Sequence, residues 1–157
     1  VYGVSTLTRI ANTTAYTAGD EVSDVASSAA NPFVFANAAT AVGLGGRITK
    51  VRLQASDPLC VSAIFRLYLY DTLPAMIGDN LADVLLGSEF AVREGYVDLG
   101  PMVTSVGAGV ASISHDIAHD YVCAAAGTSL WGRLVVLSAY TPLSAGTFRL
   151  EITCRRG

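Results

Sequence analysis

The residues best placed to do chemistry are two histidines with carboxylates beside them, His115-Asp116-Ile117-Ala118-His119-Asp120. At positions i and i+4 both imidazoles share one face of a helix, and with a carboxylate they could hold a divalent metal. The pattern from Ile113 to Val122 instead predicts a strand, a turn and a strand, in which the two rings need not converge. There is no H-E-x-x-H and no third spaced ligand, so a polar turn is expected and no metal site is assigned. A histidine pair in such a turn would still titrate at about pH 6.5 if it sat at an interface.

The other candidates are weaker. Asp57, Asp71, Asp79 and Asp83 fall in loops after strands, where carboxylates can bind calcium, but their spacing fits no calcium loop. Asp79 or Asn80 is better placed to cap a short helical turn over Leu81 to Leu86, ended by Gly87. No G-x-S-x-G is present, and Ser114 beside His115 is only a sequence neighbour. Glu89 and Glu94 could mimic a glycosidase pair, but thirteen acids in a β protein would offer such a pair in any case. Gly43, Gly45 and Gly46 are followed by Arg47 rather than by the lysine of a phosphate loop. Arg155 and Arg156 read as a solvated end. Cys60, Cys123 and Cys154 are odd in number and widely spaced, which points to buried free thiols. Tyr68, Tyr70, Tyr96, Tyr140 and Trp131 could line a sugar platform, an interface or a core, and Trp131 is most simply core. No catalytic, cofactor-binding or metal residue is assigned, and no enzyme is expected.

The elements that would carry these residues are strands. Thr147 to Arg155 alternates with period two: Phe148, Leu150, Ile152 and Cys154 face one way and the polar residues the other. Arg47 to Ala55 repeats this with Val51, Leu53 and Ala55 inward. Val61 to Tyr70 turns Val61, Ala63, Phe65, Leu67 and Leu69 inward, and its half-apolar second face calls for a cover. Leu130 to Ser138 is apolar on both faces and predicts a central strand. Weaker strands are expected at Leu7 to Ile10, Thr14 to Thr17, Pro32 to Ala36, Ser88 to Leu99, Val110 to Ser114 and Asp120 to Ala124. Turn signals separate them, among them Gly19-Asp20, Asp57-Pro58, Gly100-Pro101 and Gly107-Ala108-Gly109. Many short strands so spaced predict an all-β antiparallel sandwich or barrel.

At 157 residues the chain is sized for one domain. Hydrophobic residues are 52% and charged residues only 15%, which excludes a disordered chain. A net charge of −3 argues against a broad nucleic-acid-binding surface. No run reaches the roughly 18 apolar residues of a spanning helix, so no membrane partner is expected. Val1 to Ser5 has neither the basic region nor the apolar run of a secretion signal, and none is expected. So few charges leave surface for another chain to cover.

Four segments, in order, resemble a group of small virion proteins of tailed bacteriophages. They are Thr8-Arg9-Ile10-Ala11-Asn12-Thr13-Thr14-Ala15-Tyr16-Thr17-Ala18-Gly19-Asp20, the strand start Gly45-Gly46-Arg47-Ile48-Thr49-Lys50-Val51, the strand Phe65 to Tyr70, and the loop Pro74-Ala75-Met76-Ile77-Gly78-Asp79-Asn80. They cover roughly the first half of the chain. The resemblance implies a jelly-roll-like β-sandwich and a decoration (cement) protein on the outer capsid surface, made in the cytoplasm of the host bacterium. It implies the major capsid protein as partner, and a homotrimer that braces neighbouring capsid subunits. It transfers no catalytic residue and no cofactor. The Ala- and Ser-rich stretch Val25 to Ala41 departs from the pattern. Residues 1–17 and 25–41 are the expected arms or loops of a single domain spanning 1–157. Val1, Tyr2, Val4, Leu7, Tyr16, Phe33 and Phe35 are the expected capsid or subunit contacts, by edge-strand pairing. Deleting Val1 to Thr8 is then expected to weaken capsid binding more than the fold. The competing readings are a head–tail connector, tail or fibre-associated phage protein, and a carbohydrate-binding β-sandwich module.

Overall fold

The computed structural model of the chain describes residues 2–84, 86–104 and 111–156. Val1, Val110 and the expected turn Gly107-Ala108-Gly109 lie outside them. Period-two alternation becomes strands: β1 (Tyr2–Thr8), β2 (Glu21–Val22), β3 (Phe33–Phe35), β4 (Gly45–Ala55), β5 (Phe65–Tyr70), β6 (Arg93–Leu99), β7 (Val103–Thr104), β8 (Ala111–Val122), β9 (Leu130–Val136) and β10 (Thr147–Arg156).

The pairing is nested. β1 pairs with β10, β3 with β9, β4 with β8 and β5 with β6, all antiparallel. Such nesting is one long hairpin, and the added pairs β10–β4 and β9–β5 wrap it into two sheets. The orders are β1-β10-β4-β8-β7 and β2-β9-β5-β6, with β3 also on β9. This winding is jelly-roll-like, as the resemblance implied, and a sandwich, as the alternation and turn spacing predicted.

One core fills the space between the sheets. Phe148, Leu150, Ile152 and Cys154 of β10 face Ile48, Val51, Leu53 and Ala55 of β4 across the ladder, all buried. Phe65, Leu67 and Leu69 of β5 and Leu130, Leu134 and Val136 of β9 close it from the second sheet. At Gly132 a Cβ would lie 2.9 Å from Leu67 Cδ1 and 3.2 Å from Phe35 Cε2, so any side chain here would force its core neighbours to shift. Trp131 is half-buried on the other face of β9 rather than in the core.

Three expectations are corrected. Residues 2–8 are not an arm: β1 is bonded to β10 along its whole length, from Tyr2↔Thr153 to Thr8↔Thr147. His115 to Asp120 is not a turn but the middle of one long strand, β8, whose register on β4 shifts once between Ile48 and Lys50. The shift is a local irregularity of the ladder, and the chain does not reverse. The expected helix over Leu81 to Leu86 does not form among the described residues of that run. Asn80 sits at φ +59°, and the chain then returns beside Asp20, with the Glu21 N–H donating to Leu81 O at 2.9 Å. Helical structure among the described residues is confined to short 3₁₀ turns at Pro58–Cys60 and Gly87–Glu89. Residues 25–41 are irregular apart from β3.

Candidate functional site

Two of the segments that carry the sequence resemblance, Thr8 to Asp20 and Pro74 to Asn80, meet in space. Arg9 and Asp79, 70 residues apart, form an ion pair of 2.8 Å with both side chains fully buried. The Tyr16 hydroxyl donates to the same carboxylate and accepts from Arg9 Nε. The Ser23 backbone N–H donates to Asp79 Oδ1 at 3.1 Å, and Arg9 Nη2 donates to Asn12 Oδ1 at 3.1 Å. Next to it, the Asn80 amide donates to Asp20 Oδ2 at 3.1 Å and to Ala15 O at 2.9 Å. Arg9, Asn12, Tyr16, Asp20, Asp79 and Asn80 therefore form one structural clasp between the segment after β1 and the connection after β5. Burial and the Asp79 hydrogen bond push the Tyr16 phenol well above its ordinary range, so it stays a donor. Asp79 is a clasp residue, not a helix cap.

A second buried cluster pins the same connection. Arg133, on the outer side of β9, is fully buried and pairs with Glu89 at 2.8 Å and Asp83 at 2.9 Å. Its Nη1 donates to Ala75 O at 2.7 Å, and its guanidinium lies 5.3 Å from the Tyr70 ring centroid. Glu21 accepts from the Ile77 and Gly78 N–H groups at 3.0 and 3.2 Å, and burial raises its carboxyl to about 7. These contacts cover the Tyr70 end of the half-apolar face of β5, while Ile64, Arg66 and Tyr68 stay half-buried.

The consequence lies on the far side of that cover. Residues 71–92 are held at three points by buried charge, yet Leu73, Leu81, Val84, Leu86 and Phe90 are exposed, Phe90 by 68% and Leu73 by 61%. The sequence reading places Leu81 to Leu86 in a short helical turn and singles out neither Leu73 nor Phe90.

The first sheet has a different outer face. The register places Tyr2, Thr153, Lys50 and Asp116 in one row and Val4, Glu151, Arg52 and Ser114 in the next. An open groove of about 470 Å³ lies here, lined by Tyr2, Lys50, Arg52, Ser114, Glu151 and Thr153, with Val103 and Ile113 toward β7.

The histidines seal the edge between the sheets. His119 Nε2 lies 3.0 Å from Glu94 O of β6, and the Gly100 N–H points to His115 Nε2 at 3.5 Å. No group of three or more metal-ligating side chains occurs among the described residues. The three cysteines are free and buried, and burial raises each thiol, Cys60 to about 12. They are held as thiols, which are poor nucleophiles. Tyr68 and Tyr96 meet edge to face at 69°, so they offer no flat platform.

Of the expected contact residues, Tyr2 and Val4 are exposed on β1. Leu7, Tyr16, Phe33 and Phe35 are core side chains, closed to a partner, and Val1 lies outside the described residues. Period-two alternation puts every second residue of β1 and β3 inward, which is why an apolar residue there is no guide to contact.

The sequence matches no protein-family model and no curated protein. Among solved structures, the chain is similar over its full length to the CBM22-1–GH10 modules of a Clostridium thermocellum endo-1,4-β-D-xylanase complexed with xylohexaose, at 14% identity and a TM-score of 0.36. It spans 28% of that chain. It is also similar over its full length to a chain of the acid-stable capsid of the Helicobacter pylori bacteriophage KHP30, covering 90% of it, at 12% identity and a TM-score of 0.31. A tailspike protein of bacteriophage CBA120 follows at 10% identity and a TM-score of 0.30, with 98% of the present chain and 19% of that one covered. Likenesses of this size leave open what the present chain binds.

Proposed function

We propose that the chain is a non-enzymatic structural protein of a tailed-phage particle, a decoration protein that binds the outside of the capsid and stabilises it. The observation that carries this reading is the connection 71–92. It is fixed by the Arg9–Asp79 and Arg133–Glu89 ion pairs while presenting Leu73, Leu81, Val84, Leu86 and Phe90 to solvent. A rigid apolar surface suits binding because little side-chain and loop freedom is lost on docking. The ordered segments that resemble phage virion proteins support it, since polar residues of the first and the fourth of them build the clasp that holds this connection. The partner is the major capsid protein, and the protein acts as a homotrimer that braces neighbouring subunits.

Cosedimentation with capsids stripped of this protein tests the proposal. Leu73→Asp/Phe90→Asp changes only exposed side chains, so the thermal transition is expected to stay while binding falls at least tenfold. Wild-type protein that fails to pellet with capsids, or a double variant that pellets as well as wild type, overturns the assignment. A head–tail connector, tail or fibre-associated protein would bind at one vertex in a few to dozens of copies, where a decoration protein binds in hundreds.

A further inference from the structure

We propose that the groove across the outer face of the first sheet is a binding site for an acidic saccharide, a chain of sugars bearing spaced carboxylates. It goes beyond the capsid role and lies on the other sheet from the connection assigned to that role.

The charge distribution comes first. Arg47, Lys50, Arg52, Arg149 and Arg155 project from this face against Asp116, Asp120 and Glu151. The face is therefore net positive on a chain with ten cations and thirteen acids overall. Only five cations stand against the other ten acids elsewhere, two of them the buried Arg9 and Arg133. An acidic protein with one basic face attracts anions to that face.

The groove then sets the ligand class. Its lining residues run from β1 to β7 across five strands, roughly 19 Å at the usual strand spacing. Its volume of about 470 Å³ is that of a small-ligand site. The strands on its floor, β10, β4 and β8, are paired on both sides. Their backbones cannot accept a peptide strand, so recognition must come from side chains. Lys50 and Arg52 meet their own carboxylates only at 3.8 Å, with side chains 51% and 42% exposed, and so remain open to a ligand carboxylate. Ser114 and Thr153 supply hydroxyls, and the Tyr2 ring, exposed on the rim, offers an apolar face to sugar C–H groups.

Glu151 decides between anions. Its side chain is nine-tenths buried between Arg149 and Arg52. A fixed carboxylate amid the cations repels a phosphate backbone, whose charges are continuous. It suits a ligand whose carboxylates are separated by hydroxyl groups that donate to it.

The test is calorimetric titration of the full chain with hexagalacturonate, a neutral hexasaccharide and a single-stranded oligonucleotide. Saturable binding is expected for hexagalacturonate alone. It should weaken at least tenfold in Lys50→Ala/Arg52→Ala and several-fold in Tyr2→Ala, and be unchanged in Arg66→Ala on the opposite sheet. All of these side chains are at least partly exposed, so a retained thermal transition certifies each variant. Lack of saturable binding, equal loss in Arg66→Ala, or equal binding of the oligonucleotide overturns the site. No capsid enters the titration, so its outcome is independent of the capsid proposal.

Discussion

Asp79 carries more of this molecule than any other polar residue. Its carboxylate is met by Arg9, Tyr16 and the Ser23 N–H, all out of water. Removing one member of a buried pair leaves the other charge without compensation, at a cost of about 3–5 kcal/mol. Asp79→Ala is therefore expected to lower the unfolding free energy, read by denaturant titration, by that amount, while Arg9→Met/Asp79→Leu recovers most of it. A double variant no better than the single one contradicts the clasp. Glu21 gives a pH test. The unfolded chain ionises it near 4.5 and the folded chain near 7. The stability held by its protonated form is thus full below the lower value and lost as pH rises through the upper one. Burial raises Asp83 in the same sense. Relative to Glu21→Gln, which does not titrate, the wild type is expected to lose on the order of 3 kcal/mol across that window. A constant difference between the two denaturation curves contradicts it. At this scale the sequence showed which residues recur together, Arg9, Asn12, Tyr16, Asp20, Asp79 and Asn80. Their job stayed hidden because the partners lie some 70 positions apart along the chain.

Among the elements, alternation was a good guide where one sheet face is buried and the other wet. Thr147 to Arg155 and Arg47 to Ala55 became β10 and β4 within a residue or two at each end. It misled in two places. His115 to Asp120 reads as a polar turn, yet its odd-numbered members face a sheet edge where imidazoles close the seam to β6. The run Leu81 to Leu86 reads as a helix, yet its Asp83 pairs with the buried Arg133 and the clasp at Asp79 holds the chain just before it. In both places the deciding contacts come from another part of the chain, which local pattern does not report. The seam has its own test. Gly95 sits at φ +133°, and a Cβ there would lie 2.5 Å from His119 Cε1. Gly95→Ala is expected to cost about 1–3 kcal/mol by thermal denaturation. An unchanged midpoint would show that β6 does not lean on β8. The structure also revises what a truncation would report. With β1 bonded to β10 throughout, removing residues 1–8 strips an edge strand and buried Leu7, so loss of capsid binding in that variant would speak of folding.

At the scale of the whole molecule, two faces divide the work. The second sheet carries the anchored apolar connection, and the first carries a basic groove. The jelly roll makes this division possible, because its two sheets share one core and turn their outer faces in opposite directions. The composition hinted at it, since 15% charged residues cannot clothe both faces equally. Which face was apolar and which basic depended on the register of β4, β8 and β10 and on where residues 71–92 fold back. The central claim is that the protein docks on a capsid shell through that apolar connection. The most direct test is electron microscopy of stripped capsids after saturation with purified protein. Density repeating at equivalent lattice positions, with residues 71–92 facing the shell, is the predicted result. A bare shell, density at a single vertex, or a lattice contact made through the other sheet would contradict it.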